Sequence, residues 1–191
     1  MNLWGHAQDS DRWTIFRQSN HGHNTLAIDD QLQRAAARAE IVDFSDRPAE
    51  AYSLLDMSKL YEGQAKSVRR RVTLFPSREV LIEDRLTGLK AGSRVRWGMI
   101  TTGTPGKLDA PVVELRQGDA RLSLRIVAPT GSGWKTIDTA APRHEWDSPN
   151  PGTRMVAFEA TAPEDGNLAL SVLATPGSAT QTVADRLGRR E

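Results

Sequence analysis

Apolar and polar residues alternate along most of this chain, and this period of two limits the folds that it can adopt. Leu122, Leu124 and Ile126 alternate with arginine and serine, and Leu168 and Leu170 repeat the pattern further on. Successive side chains of a strand point to opposite faces of a sheet, so alternation over about four to eight residues indicates a strand with one buried face. Turn sequences rich in Gly, Pro and Asp separate these stretches. The sequence therefore predicts an all-β fold, an antiparallel β-sandwich of two large twisted sheets with little helix.

The alternation also predicts where the strands lie. We expect strands near residues 12–18, 24–29, 37–44, 51–56, 66–76, 79–86, 93–102, 111–117, 120–128, 133–138, 153–161 and 166–174. Residues 31–39 have a helical composition and form either a single turn or the entry to a strand. The polar tail 177–191 is expected to be frayed or a short terminal helix. Without a repeat or an internal boundary, residues 1–191 are predicted to be a single domain.

Composition excludes several classes of protein. The chain has no cysteine, which excludes a disulfide scaffold, a thiol nucleophile and a thiolate metal site. No stretch approaches the roughly 18 consecutive apolar residues of a membrane-spanning helix, and the start of this chain lacks the pattern of a signal peptide. A net charge of +1, from 25 basic and 24 acidic residues, argues against a nucleic-acid partner.

Arginine dominates the basic residues, with 20 Arg against 5 Lys. Two interpretations remain open. A GC-rich genome favours arginine codons, and the planar guanidinium suits carboxylate, sulfate or phosphate ligands.

Two histidines, His21 and His23, flank a glycine where a predicted strand runs into a polar turn. Imidazole titrates near neutral pH, so such a pair can transfer protons or bind a divalent cation. On an extended segment, residues two apart point to the same side, and both rings are expected to do so here. The alternative is that both are surface residues that form hydrogen bonds in a turn.

A set of ordered motifs resembles the C-terminal β-sandwich of heparinase II/III-like polysaccharide lyases. The first motif reads Trp13-x-x-Phe16-Arg17-x-Ser19-x-x-Gly22-His23-Asn24-Thr25-Leu26-x-Ile28-Asp29. It is followed by Asp56-Met57-Ser58-x-x-Tyr61, then Arg69-Arg70-Arg71-Val72, then Val80-Leu81-Ile82-Glu83-Asp84-Arg85-Leu86 and Val95-Arg96-Trp97-Gly98-Met99-Ile100-Thr101. The resemblance covers roughly residues 10–175, nearly the whole chain.

This resemblance implies one domain of a bacterial, periplasmic or extracellular enzyme. Family members pair an N-terminal α/α toroid with the sandwich and cleave uronate-containing polysaccharide, such as glycosaminoglycan or alginate, by β-elimination. The toroid carries the catalytic tyrosine and is absent from this chain, so the isolated domain is expected to be inactive. The alternative is a non-catalytic carbohydrate-binding or structural module. An exposed apolar face that awaits the toroid would also allow homodimerisation, and neither nucleic acid nor membrane is expected as a partner.

The resemblance also assigns roles to four residues. His23 matches the motif histidine that the sandwich lends to the cleft and is the candidate catalytic residue. Arg17, His21 and Asn24 are the candidate substrate-binding residues. Asn24 comes directly after the motif histidine, and for this residue a structural role, holding the turn in place, is favoured over a chemical one. Arg17 suits a uronate carboxylate, or is simply a surface arginine.

Some family members hold a structural zinc through two histidines and an aspartate. Here Glu40, Asp43 and Asp46 are candidate acids, but residues 65–69 carry no histidine where the last ligand is expected. The ligand set is incomplete, so we assign no metal ligand and expect no cofactor.

Three further motif residues or runs receive structural interpretations. Trp97 alternates inward and is expected in the core, and Tyr61 is expected to be a framework residue. The arginines at 69–71 alternate between the faces of a strand, so at least one is expected to lie sideways or outwards, and a solvated face is the default interpretation.

Overall fold

Strands form almost wherever the sequence alternates. The computed structural model describes residues 3–108 and 111–177. Within these ranges the strands are β1 (Leu26–Ile28), β2 (Glu40–Arg47), β3 (Glu50–Asp56), β4 (Ser67–Leu74), β5 (Val80–Thr87), β6 (Arg94–Thr101), β7 (Thr104–Pro105), β8 (Val112–Gln117), β9 (Ala120–Ala128), β10 (Lys135–Asp138), β11 (Arg154–Thr161) and β12 (Leu168–Pro176). Eleven predicted strands match observed ones to within three residues at each end.

Two predictions of local structure differ from the fold. The strand predicted near 12–18 is replaced by short 3-10 helices, and the two-residue strand β7 was not predicted. The 3-10 helices of the described ranges have three or four residues, and no helix there is long and apolar enough to span a bilayer. Residues 31–39 hold a turn at 35–36 and no helix before β2 begins. The prediction for the tail concerns residues 178–191, which lie outside the described residues.

The strands form two antiparallel sheets. The small sheet has the order β1-β6-β11-β10, and the large sheet has the order β2-β3-β4-β5-β12-β9-β8-β7. The β8–β9 hairpin shows how local chemistry sets the register, because its two-residue turn begins at Gly118, whose φ of 56° suits glycine. The prediction of an antiparallel β-sandwich is confirmed.

The inward faces of both sheets share one hydrophobic core. Trp97 and Phe158 of the small sheet meet Leu86 and Leu170 of the large sheet, and all four side chains are buried. The Phe158 ring lies 5.9 Å from Trp97 and 5.4 Å from Trp134, centroid to centroid. The prediction that Trp97 belongs to the core is confirmed.

The large sheet has an apolar edge, which we define as Ile41, Phe44 and Leu74. Their side chains are 64%, 69% and 49% exposed. Ile41 pairs with Leu55, a strand neighbour that packs against the core, so the edge continues the core-facing side of the sheet. Among the described residues, no member of the buried core lies on β2.

Candidate functional site

The motif histidines lie in a chain of short helical turns that precedes β1. Three 3-10 helices follow one another at Asp11–Thr14, Phe16–Gln18 and Asn20–Gly22. The buried Asp147 carboxylate anchors this segment, because its Oδ1 accepts the Phe16 backbone N–H at 3.0 Å. Aromatic and β-branched residues at 13–16 suggested a strand, but local turns and this long-range bond favour the helical conformation.

Gly22 fixes the spacing between the two histidines. A Cβ at this position would lie 2.3 Å from the Phe16 carbonyl oxygen, which no side chain tolerates. The expectation of an extended His-x-His segment is therefore wrong at residues 20–22, since they form a 3-10 turn. The argument that both imidazoles point to the same side does not apply to this conformation.

His21 makes its contacts within the protein. Its Nε2 lies 3.0 Å from the Asp30 carbonyl oxygen and 3.5 Å from the Asp30 carboxylate. A carbonyl oxygen only accepts, so Nε2 carries the proton in this contact. Burial lowers the pKa of His21; Asp30 opposes this, whereas Arg96 and Arg143 add to it.

This lowered pKa predicts a stability change with pH. Below about pH 6.5 the unfolded chain binds a proton at His21 more readily than the folded chain, so folded stability should fall as the pH drops through that window. Above it, His21 should contribute no pH dependence. An NMR titration of the His21 ring should give a pKa below the ordinary value. Urea unfolding of His21→Gln should lack this part of the acid sensitivity, and a wild-type pKa at or above the ordinary value would contradict the prediction.

His23 is placed differently. Its side chain is exposed, and the part of the chain that the structure describes offers it no hydrogen-bond or ionic partner. Its backbone is held, because its N–H donates to Asn20 and its carbonyl accepts from the Thr25 N–H at 2.9 Å. The imidazole is thus presented on a fixed turn.

Asn24 holds that turn in place through both its side chain and its backbone. Its Oδ1 accepts the Ile100 backbone N–H at 2.8 Å, and its carbonyl oxygen accepts a hydrogen bond from Arg70 Nη1 at 3.0 Å. This geometry fits the pinning role expected from the motif. Its assignment as a substrate contact stays a prediction.

A buried ion pair lies beneath the turn. Arg70 donates two parallel hydrogen bonds to Asp84, at 2.7 Å and 2.9 Å, and the Asp84 side chain is fully buried. Burial alone would lower the pKa of Arg70, but the Asp84 carboxylate outweighs burial and raises it. Burial raises the pKa of Asp84, and the Arg70 guanidinium offsets part of that rise. Arg69 is exposed, as expected for at least one arginine of the run, but the default interpretation of a solvated face is wrong for Arg70.

Tyr61 supports the start of β1 from the same side. Its hydroxyl donates to the Leu26 carbonyl at 3.0 Å and accepts from Gln33 Nε2 at 2.7 Å. Its side chain is completely buried. Tyr61 is therefore a framework residue, as its place in the motif predicted.

Arg17 lies on the second helical turn, with its side chain exposed. It has no ion-pair partner within the described ranges, so it is accessible to a carboxylate from outside. The structure joins Asn24 to the His23 turn by hydrogen bonds, but among the described residues Arg17 forms no hydrogen bond or ion pair with either histidine. Its role in substrate binding stays a prediction.

Two of the candidate metal ligands, Glu40 and Asp43, have other partners. Glu40 accepts from Lys59 at 2.9 Å, and Asp43 accepts from the Tyr52 hydroxyl at 2.9 Å. Across residues 3–108 and 111–177, no group of three or more His, Asp or Glu side chains is arranged to hold a metal ion.

Comparison with known proteins gives a family and a set of related folds. Residues 4–183 match the family described as heparinase II/III-like, C-terminal. The heparan sulfate lyase HepC from Pedobacter heparinus is similar in structure, with a TM-score of 0.66 and 13% sequence identity over 84% of this chain. A heparinase III has a TM-score of 0.67 and 14% identity over 85% of this chain. This chain covers 24% and 25% of those two chains, and a search of curated protein sequences gives no match.

Proposed function

Because this chain belongs to the heparinase II/III-like C-terminal domain family, we propose that it works as the sandwich domain of a lyase that cleaves uronate-containing polysaccharide by β-elimination. The family is one of polysaccharide lyases. The reaction, the acidic substrate and the assistance of His23 are the proposed steps. The chain spans about a quarter of the matched lyases, so activity is expected only together with a toroid domain.

The chemistry sets what such a cleft must supply. A base removes the proton at C5 of the uronate, the C4–O bond breaks, and an acid protonates the leaving oxygen. Negative charge develops on the uronate carboxylate as the C5 proton leaves, so hydrogen bonds or cations must stabilise it. In our proposal His23 lines the cleft and donates a hydrogen bond to the reacting uronate.

The observation that carries the proposal is the exposed imidazole of His23 on a rigid turn. A group that binds substrate must be held in the productive geometry by its surroundings. Gly22, Asn24 and the Arg70–Asp84 pair supply that support. Within the described residues the exposed His23 imidazole forms no hydrogen bond or ion pair that would compete with substrate.

The apolar edge supports the proposed toroid partner. Exposed apolar side chains grouped on one surface mark interaction sites in soluble proteins. Ile41, Phe44 and Leu74 extend the core-facing side of the large sheet beyond the buried core. We infer that the toroid covers this edge; a homodimer through it is the competing arrangement.

Substitution of His23 tests the role of this residue. In the protein that joins this domain to its toroid, His23→Ala should lower kcat/KM about 10- to 100-fold, since one hydrogen bond to a charged group contributes about 1.5–3 kcal/mol. Turnover is followed by the ultraviolet absorbance of the unsaturated uronate product. The exposed His6→Ala variant is the control and should keep full activity.

The outcomes separate the two candidate functions. Unchanged turnover in His23→Ala would show that His23 does not assist the reaction. Binding of an acidic glycan by the joined protein, with no absorbance change, would favour a non-catalytic module. Because His23 is exposed, its replacement should leave the unfolding midpoint unchanged, so a loss of activity would not reflect a loss of folding.

A further inference from the structure

A pocket with a volume of about 280 Å³ lies on the outer face of the small sheet, the face turned away from the core. Its charged lining residues are Asp30, Arg94, Arg96, Arg143 and Glu159. Arg96 belongs to β6, where it is paired with Glu159 of β11. This volume lies just below the range for drug-sized ligand pockets, about 300–1,000 Å³, so it suits a single small group better than an oligosaccharide.

Arg96 is buried although its strand position faces outward. Its exposed fraction is 8%. Arg143 closes the pocket from the loop around Asp147, and its guanidinium stacks 4.2 Å above the Phe16 ring. Asp147 fixes this loop against the N-terminal turns, since its carboxylate accepts backbone N–H groups from Phe16, Arg143 and His144.

The Arg96 guanidinium lacks a carboxylate partner within the described residues. Its Nε makes no hydrogen bond, and its Nη1 reaches only the Met155 sulfur, at 3.4 Å. A thioether is a weak acceptor, so this contact does little to compensate a buried charge. Burial lowers the pKa of Arg96; Asp30 and Glu159 oppose this, and Arg143 adds to it.

Each acidic side chain of the pocket has another basic side chain beside it. Glu159 forms an ion pair with Lys135 at 2.7 Å, and the Asp30 carboxylate lies 3.5 Å from His21. Three arginines therefore face two carboxylates in the lining, and one of those carboxylates is already paired. The pocket keeps an excess of positive charge next to unused guanidinium donors.

We propose that this pocket binds an oxyanion, a sulfate or carboxylate group, through Arg96 and Arg143. Guanidinium groups present planar, paired donors that match both kinds of anion. A bound anion would satisfy the buried Arg96 and bridge the sheet to the loop of Arg143. The site goes beyond the proposed lyase function, because anion binding here requires neither His23 nor a toroid domain.

Titration with inorganic sulfate tests the site on this chain. At constant ionic strength, with chloride as the replaced anion, sulfate should shift the Arg96 Nε–H signal in a nitrogen-15 NMR spectrum, and the shift should saturate. Arg143→Gln should weaken sulfate binding about tenfold or more, in line with the loss of one charged hydrogen bond. Arg125→Gln, an exposed arginine on β9 outside the pocket, is the matched control and should bind as the wild type does.

Sodium glucuronate in a parallel titration distinguishes the two sources of the anion. Saturable shifts with either compound support the site, and the compound that binds more tightly shows whether the pocket prefers sulfate or carboxylate. Bound anion should also raise the pKa of His21, because it offsets the repulsion from Arg96 and Arg143. The proposal is overturned if neither compound gives saturable shifts, or if Arg143→Gln binds as tightly as the wild type. Neither result depends on lyase turnover, so the anion site and the role of His23 can each be refuted without affecting the other.

Discussion

Replacement of Asp84 by Asn should lower the free energy of unfolding by about 3–5 kcal/mol, the cost of leaving one member of a buried ion pair without its partner. Asn has nearly the size of Asp, so the change removes charge and little volume. Arg70 would then remain buried beside a neutral amide, having lost the paired, charged acceptor that it now contacts at 2.7 Å and 2.9 Å. Urea unfolding followed by tryptophan fluorescence measures the loss.

Two further variants show whether charge is the cause. The double variant Arg70→Met/Asp84→Leu removes both charges, so it should recover most of the lost stability, because a buried pair replaced by apolar residues is often neutral or better. Glu40→Gln breaks an exposed pair with Lys59 and should cost less than about 1 kcal/mol. A double variant as unstable as Asp84→Asn would mean that shape, rather than charge, decides the site.

The same variants bear on the proposed function. Arg70 also donates to the Asn24 carbonyl, so its loss should loosen the turn that presents His23. The double variant is therefore expected to be stable yet less active when joined to a toroid domain. This one variant would then show that the stability of the domain and the positioning of His23 depend on different interactions of Arg70.

The period of two accounts for most of the fold. Alternation placed Trp97, Leu124 and Leu170 on inward faces, and all three are buried. A strand needs only local alternation to be recognised, so the boundaries agree closely. The order of strands in each sheet was not predicted, since pairing depends on contacts between distant parts of the chain.

The strand predicted at 12–18 does not form, and the reason is physical. Its residue types suit a strand, but the segment is held by contacts that no local pattern shows. Ser10 caps the first turn by accepting the Arg12 N–H, and Asp147 binds the Phe16 N–H across 131 residues of sequence. Such long-range capping overrides the propensity of a short segment.

The candidate site was only partly visible in the sequence. The position of Arg70 between Val68 and Val72 marks an inward face, as does that of Asp84 between Ile82 and Leu86, so the alternation could have identified the buried pair. Arg96 gave no such signal, because its strand position faces outward and its burial depends on the loop that carries Arg143. Residues buried by loops escape a pattern that reports only on strands.

The aromatic group in the core should be the most sensitive apolar site. Phe158→Ala should lower the free energy of unfolding by about 3–5 kcal/mol, since it removes a fully buried ring and leaves a cavity. The ring stacks on Trp97 and meets the edge of Trp134, whose indole N–H donates to the Pro111 carbonyl at 2.7 Å. Its loss should therefore also loosen the segment that Trp134 holds in place.

Phe158→Leu is the matched control for that loss. Leu fills much of the volume of the ring, so most of the stability should return, although the stacking on Trp97 is lost. Urea unfolding gives the free energies, and tryptophan fluorescence reports on Trp97 and Trp134 in the folded state. If the Ala and Leu variants are equally unstable, aromatic contact rather than cavity formation decides the stability of this core. If both lose less than about 1 kcal/mol, the two sheets relax around the site, and the core is less tightly packed than its burial indicates.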